Sequence, residues 1–449
     1  MSDSSEPVPP VLITTPPPLP VIEERPSPAL APVQTSRLWQ WLSAFWKLFL
    51  GMLFCQSLLG SFLVVGWTYR LAQRIALRQW WKRSAASHAR ESFSNFVNEA
   101  NKTRGHVTWP NWIVQQRCWA LRHSRLRGDL STQMREVWRS LFGSLFLNLK
   151  LGIQGVSNTL VLTLPAGILW LFAWYDGWNN SFNKGYEQAA VGPLTGITGV
   201  IVFIAAMFYL PMAQMRQAVT GDWRSFYQFR IVWGLVRRRW LACLGLAMLY
   251  SLVALPFTVL KTAPAFLANN NPVMAAWTEV EAGAFLERYW FWAALYFFPA
   301  FVLLRIVAAR IYASALLSQI QRGAMPEEAL AETEWQALHR LDLLRVQPPP
   351  TRHLLVRLMA WAGSKTGRLV AGIITAFVWF TFVAQIFIGQ FFHYYPGVGW
   401  LNQPLVQVPW LAYLPAHLKN LWGEIAFVAV LLSMGWLAVK SFRSIRRLF

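Results

Sequence analysis

Residues 193–215 read PLTGITGVIVFIAAMFYLPMAQM, 23 positions without a charged side chain. A helix needs about 20 such residues to cross the hydrocarbon core of a bilayer. Water is missing from that core, so backbone amides and carbonyls must bond within the segment, and the stretch is read as a helix. Six further runs reach the same length: 48–69, 151–175, 240–260, 289–309, 369–392 and 421–439. Only Arg305 in the fifth run and Glu424 in the seventh bring charge into them.

Composition agrees with this reading. Of 449 residues, 55% are hydrophobic and 14% charged, where soluble domains carry about 25% charged residues. The 26 tryptophans suit a membrane interface, where the ring is apolar and its N–H needs a polar partner. Residues 1–36 are rich in proline, as in Pro16-Pro17-Pro18 and Pro20. Proline lacks an amide donor and fixes its backbone, so an extended or disordered tail is expected there. Its Pro17/Pro20 pair offers one PxxP pattern to a protein partner.

Charge sets the expected orientation. Stretches 70–150, 216–239, 305–368 and 440–449 hold 34 Lys and Arg, against seven in the rest of the chain. Positive loops stay in the cytoplasm. The C-terminus is therefore expected inside and the N-terminal tail outside, in a multi-pass cell-membrane protein, the inner membrane of a bacterium. If 48–69 does not span, six spans and a cytoplasmic tail result. The net charge of +21 is then a consequence of topology, and nucleic acid is not an expected partner.

Three places repeat a theme: Arg127-Gly128-Asp129 with Trp138, Thr220-Gly221-Asp222 with Trp233, and Arg322-Gly323 with Trp335. A helix can end on glycine in the left-handed conformation, and a following Asp can accept from the free amides of the next helix. Gly128, Asp129, Gly221 and Asp222 are the expected turn and cap residues. Each theme precedes two apolar runs. The expected fold is an all-α polytopic bundle of about seven spans: one leading helix, then three helical hairpins, with amphipathic cytoplasmic helices at the interface. The expected divisions are a 1–36 tail; 37–127 with the first helix and a basic segment; hairpin repeats at 128–220 and 221–322; and 323–449 with cytoplasmic helices and the third hairpin.

These Gly-Asp-linked hairpins resemble the multi-helix membrane domain found with some bacterial glycerophosphodiester phosphodiesterases, and related uncharacterised bacterial membrane families. The likeness covers roughly residues 120–449. In those enzymes catalysis belongs to a separate soluble barrel, so the resemblance implies an architecture and no activity.

Candidate chemistry is sparse. No GxxxxGK[ST], HExxH or GxSxG motif occurs, so the phosphate cradle, zincin and nucleophile-elbow readings lack a starting signal. The seven histidines are scattered, and Cys55, Cys118 and Cys243 form no CxxC pair. No catalytic, metal or cofactor residue is expected. Ionisable and polar groups inside spans invite functional readings, which singles out Glu424, Gln56, Asn158 and Gln385. Arg305, Arg310, Arg352 and Arg357 are expected to reach lipid headgroups. Helix 326–346 places Glu327, Glu328, Glu332 and Glu334 before Arg340 and Arg345, the order that complements a helix dipole. It is expected to dock on the protein's own cytoplasmic surface or on a partner. The favoured function is a non-enzymatic scaffold or accessory protein that engages anionic lipid or partners through basic cytoplasmic helices. The alternatives are a transporter or channel component, and a lipid-modifying enzyme.

Overall fold

The computed structural model describes residues 37–55, 58–84, 92–93, 96–97, 110–113, 130–183, 191–345 and 354–391. Helices carry these residues, and no strand occurs among them. We label α1 (Arg37–Phe54), α2 (Leu58–Arg83), α3 (Leu130–Asn183), α4 (Val191–Thr220), α5 (Phe229–Arg238), α6 (Trp240–Asn270), α7 (Glu279–Ile320), α8 (Glu332–Arg340) and α9 (Leu354–Phe391). Residues 37–44 open α1, and the described residues from Phe45 onward belong to one unit.

Five helices are long and apolar enough to cross a membrane, within α3, α4, α6, α7 and α9. Pro165, Pro211, Pro256 and Pro299 lie inside four of them without ending them. Apolar side chains cover their outside. On α6 Met248, Leu252, Leu255 and Val259 are exposed, and on α9 Leu369, Ile373, Phe377 and Phe380. Steps of three and four residues make each set one helical stripe. Soluble monomers rarely expose continuous apolar surface of this kind. Polar residues such as Asn148, Asn158, Arg216 and Gln217 are buried instead. The exterior is matched to lipid, as in a multi-pass membrane protein.

Side-chain contacts fix the packing. Gln214 on α4 reaches Thr159 on α3 at 2.8 Å, and a Cβ on Gly199 would touch Ala166 and Leu169, so α3 and α4 pair antiparallel. Tyr289 and Tyr296 on α7 donate to the carbonyls of Leu260 and Val253 on α6, at 2.6 and 2.9 Å, making a second antiparallel pair. Ser251 and Thr258 on α6 donate to the Val378 and Gln385 carbonyls at 2.9 and 3.3 Å, so α9 runs parallel to α6. Glycine brings α2 against α3. A Cβ on Gly66 would stand 1.7 Å from the Asn148 carbonyl oxygen, and one on Gly152 1.8 Å from that of Phe62. Small residues allow this backbone approach where lipid gives helices no hydrophobic reason to associate.

The first expected span is not one helix. α1 ends at Phe54 and α2 starts at Leu58, and α2 meets basic side chains from Arg70 onward. Its apolar part, 58–69, is shorter than the span length. The seventh expected run, 421–439, lies outside the described residues.

The turn after α4 shows the local chemistry expected of glycine and aspartate. Gly221 has φ +70°, and its N–H bonds the Gln217 carbonyl at 2.9 Å, the single-bond left-handed cap. Asp222 then accepts from the Arg224 amide at 3.0 Å and caps a 3-10 turn, Trp223–Tyr227. α5 follows with Val232, Leu235 and Val236 buried, and Arg230 and Arg237 exposed. After α7, Gly323 (φ +63°) makes the two-bond version: its N–H bonds Ile320 at 2.8 Å and that of Ala324 bonds Gln319 at 3.0 Å. The theme at Gly128 and Asp129 lies outside the described residues.

Candidate functional site

The end of the bundle that carries Thr220, Arg238 and Ile320 concentrates the polar side chains; we call it the basic end. α4 arrives there with Arg216, which is 0% exposed. Its guanidinium donates in three directions. Nε bonds Gln228 Oε1 at 2.5 Å, Nη2 bonds the Ala329 carbonyl at 3.1 Å, and Nη1 meets Glu334 Oε2 at 3.2 Å and Tyr312 Oη at 3.3 Å. Glu334 is also 0% exposed. It accepts from the Tyr312 hydroxyl on α7, and from the Ala331 amide at 3.1 Å. That last bond is a cap: Glu334 occupies the third position of α8 and satisfies an amide that would otherwise be free. One ion pair thus joins α4, α7, α8 and the segment before α5. Removing either charge would leave the other buried and uncompensated. Helix α8 therefore docks on the protein's own bundle, one of the two outcomes its charge order left open.

A second polar layer lies beside the first. Asn158 on α3 donates to Gln217 Oε1 at 3.1 Å and to the Trp223 carbonyl at 3.0 Å, and accepts from the Tyr227 hydroxyl at 3.1 Å. Both its amide and its carbonyl are engaged, so Asn158 ties α3 to α4 and to the turn after it. Gln385 contributes its backbone carbonyl to Thr258, while its Oε1 is buried without a hydrogen-bond partner.

Arg305 requires a correction. It was expected at lipid headgroups, yet it is 6% exposed. Its Nη1 donates to Gln214 Oε1, and the guanidinium lies over the rings of Phe301 and Tyr69, at 4.7 and 5.6 Å. An amide and two ring faces substitute for part of the water around the cation, and its Nε is buried without a hydrogen-bond partner. Arg310, one turn later, is exposed. Gln56, Gly128, Asp129, Arg352 and Glu424 lie outside the described residues, as does the side chain of Arg357. The structure therefore brings Asn158 and Arg305 into one polar region with Gln214 and leaves Gln385 apart from them.

Several members were missed from the sequence. Arg216 was read as the first residue of a basic loop, and Glu334 as one acid among four. The available signal was α4 itself: Gln214, Arg216, Gln217 and Thr220 make its last turns polar without a break in the helix, and each is buried. A second missed group surrounds Arg70. Its Nη1 donates to Asn148 Oδ1 at 2.9 Å and Ser144 Oγ at 3.1 Å. Asn148 holds the carbonyls of Asn111 and Trp112 at 2.9 and 3.1 Å, and Trp112 stacks on Trp67 with ring centres 4.7 Å apart.

Unlike Arg216, Arg238 and Arg239 have no acid paired with them among the described residues. Arg238 on α5 donates through Nε to Ser318 Oγ at 2.8 Å, while its Nη2 and the Nε of Arg239 are buried without a hydrogen-bond partner. Burial, followed by the neighbouring charges of Arg322 and Arg239, lowers the pKa of Arg238. Burial and Arg239 do the same to Arg83. Nearby, between α4, α6 and α9, an apolar groove of about 150 Å³ is lined by Met207, Pro211, Trp233, Trp240 and Trp379, with Arg237 and Arg368 among its walls. Among the described residues no cluster of His, Cys, Asp or Glu is positioned to hold a metal ion. No family model, curated protein or solved structure matches this chain, so the site is read from its geometry alone.

Proposed function

We propose that this chain is a non-enzymatic membrane scaffold or accessory protein whose basic end is a rigid platform for anionic lipid headgroups. The observation that carries the reading is the buried Arg216–Glu334 pair. It commits the acid-led helix α8 to the protein's own interior, while Arg230 and Arg237 of α5 and Arg368 of α9 stay exposed. Basic, partly apolar helices of this kind suit the inner headgroup layer. The groove beside Arg237 and Arg368 offers apolar surface next to cationic groups, the combination a phospholipid presents in complement. In this reading the basic end faces the cytoplasm, as the excess of Lys and Arg implies.

The test is stability in defined bilayers. The full chain is placed in nanodiscs of phosphatidylglycerol with phosphatidylethanolamine, or of phosphatidylcholine alone, and its thermal midpoint is read by tryptophan fluorescence. A higher midpoint in the anionic discs is expected. Equal midpoints in the two would remove the lipid platform. A reporter active only in the cytoplasm, fused at residue 2, checks the orientation: inactivity is expected for seven spans, and activity would indicate six.

A second reading, a transporter or channel component, is favoured by the convergence of Asn158, Gln214, Gln217 and Arg305 between helices. Their mutual hydrogen bonds favour the scaffold, because a substrate would have to displace them.

A further inference from the structure

The sequence places arginine at many positions near the basic end, and three of them have evident partners. Arg216 has Glu334, Arg305 has Gln214 and two rings, and Arg345 has Asp342 at 3.0 Å. Arg83, Arg238, Arg239 and Arg322 do not. They come from three places: the last turn of α2, the end of α5, and the turn that follows α7. Packing brings these places together. The Trp80 indole, one turn before Arg83, donates to the Ala313 carbonyl of α7 at 3.0 Å. Arg238 reaches Ser318, one turn before Arg322, at 2.8 Å. Gly234 lets α5 come so near α7 that an added Cβ would stand 2.7 Å from Gln319 Nε2.

Among the described residues no carboxylate pairs with any of the four. Two guanidinium nitrogens, Arg238 Nη2 and Arg239 Nε, are nevertheless buried without a hydrogen-bond partner. A buried donor without an acceptor is costly, and more so when it is charged and faces like charge. A bound anion would remove both costs at once. The planar fork of arginine fits the oxygens of a phosphate group better than any other common anion-binding side chain. The span in α6 begins at Trp240, directly after Arg239, which is the depth of a lipid headgroup.

We propose that Arg83, Arg238, Arg239 and Arg322 form a phosphate-binding site, occupied by the phosphate of an anionic phospholipid. The site rests on the platform reading above and gives it a specific address. Arg238 and Arg239 supply the buried donors, with Arg238 held in place by Ser318. Arg83 and Arg322, both exposed, close the site from solvent.

The experiment uses the purified full chain in neutral detergent, with the thermal midpoint followed during titration by phosphatidylglycerol, by phosphatidylcholine, or by inorganic phosphate against chloride at matched ionic strength. The test variant is Arg83→Gln with Arg322→Gln, which removes exposed charge and leaves the buried frame intact. The control, Arg288→Gln with Arg345→Gln, removes equal charge elsewhere. The half-saturating phosphatidylglycerol concentration is expected to rise about tenfold or more in the test variant, the loss of one or more charge-assisted hydrogen bonds, and to stay unchanged in the control. If the wild-type chain prefers phosphatidylglycerol but both variants behave alike, the site is overturned and the platform reading stands. If inorganic phosphate stabilises the wild-type chain and phosphatidylglycerol does not, the phosphate site is supported, its source is a free phosphate, and the lipid platform is lost. If neither probe acts on the wild-type chain, both ideas fail.

Discussion

Arg216 and Arg238 stand at the same end of the bundle and solve the same problem in opposite ways. Both are cations drawn into the protein by the helices around them. Arg216 is completed from within by Glu334, Tyr312, Gln228 and a backbone carbonyl. Arg238 has one serine and a buried nitrogen without a partner. The difference is a single carboxylate, delivered by a helix more than a hundred positions away in the chain. An internally paired arginine acts as a fastener, while one left short of an acceptor is available to an outside ligand.

The strongest way to break this comparison is to remove the carboxylate. Glu334→Ala leaves Arg216 buried and uncompensated, which typically costs about 3–5 kcal/mol. A large drop in the thermal midpoint in nanodiscs is expected, with new protease cleavage within 326–345. Intact midpoint and resistance would mean that α8 is held by apolar contact alone. Adding Arg216→Met to that variant should recover part of the loss, because the orphaned charge goes as well. Next in size is Gly66→Ala, whose Cβ would stand 1.7 Å from the Asn148 carbonyl oxygen. Forcing α2 from α3 is expected to cost ~1–3 kcal/mol and to loosen the Arg70–Asn148 bond. Gly221→Ala tests the turn that aims α5. Nothing lies within 4 Å of its Cβ, so only the φ of +70° resists the substitution, a penalty of about 1–2 kcal/mol. A shift larger than that of Gly66→Ala would show that the turn controls more of the basic end than its own backbone. The smallest effect belongs to Arg345→Gln. Its pair with Asp342 has 82% and 68% exposed side chains, and exposed pairs contribute roughly 0–1 kcal/mol. A midpoint within error of wild type is expected and marks the floor against which Glu334→Ala is read.

Parts of this arrangement were legible in advance. The uncharged run at 193–215 becomes α4, and the Gly221-Asp222 step becomes the left-handed cap and the capped turn its chemistry suggests. Both depend on neighbours in the chain. The run at 48–69 was legible only as apolar. Its close approach to α3, where Gly66 and Gly152 let α2 lie against that helix, is a contact of which hydropathy carries no record. Arg305 was misplaced for a related reason. Its position near a span end suggested lipid, whereas α2 and α4 enclose it with Tyr69 and Gln214.

The sequence alone determined which segments are apolar enough to leave water, where their charged ends lie, and how two of the turns are capped. Those are local properties, set by transfer free energy and by backbone conformation at single residues. The tertiary structure decided which charges are cancelled. Arg216 and Glu334 are 118 positions apart, and only the joint packing of α4, α7 and α8 brings them to 3.2 Å. Electrostatic energy depends on distance and burial, and both are properties of the folded chain.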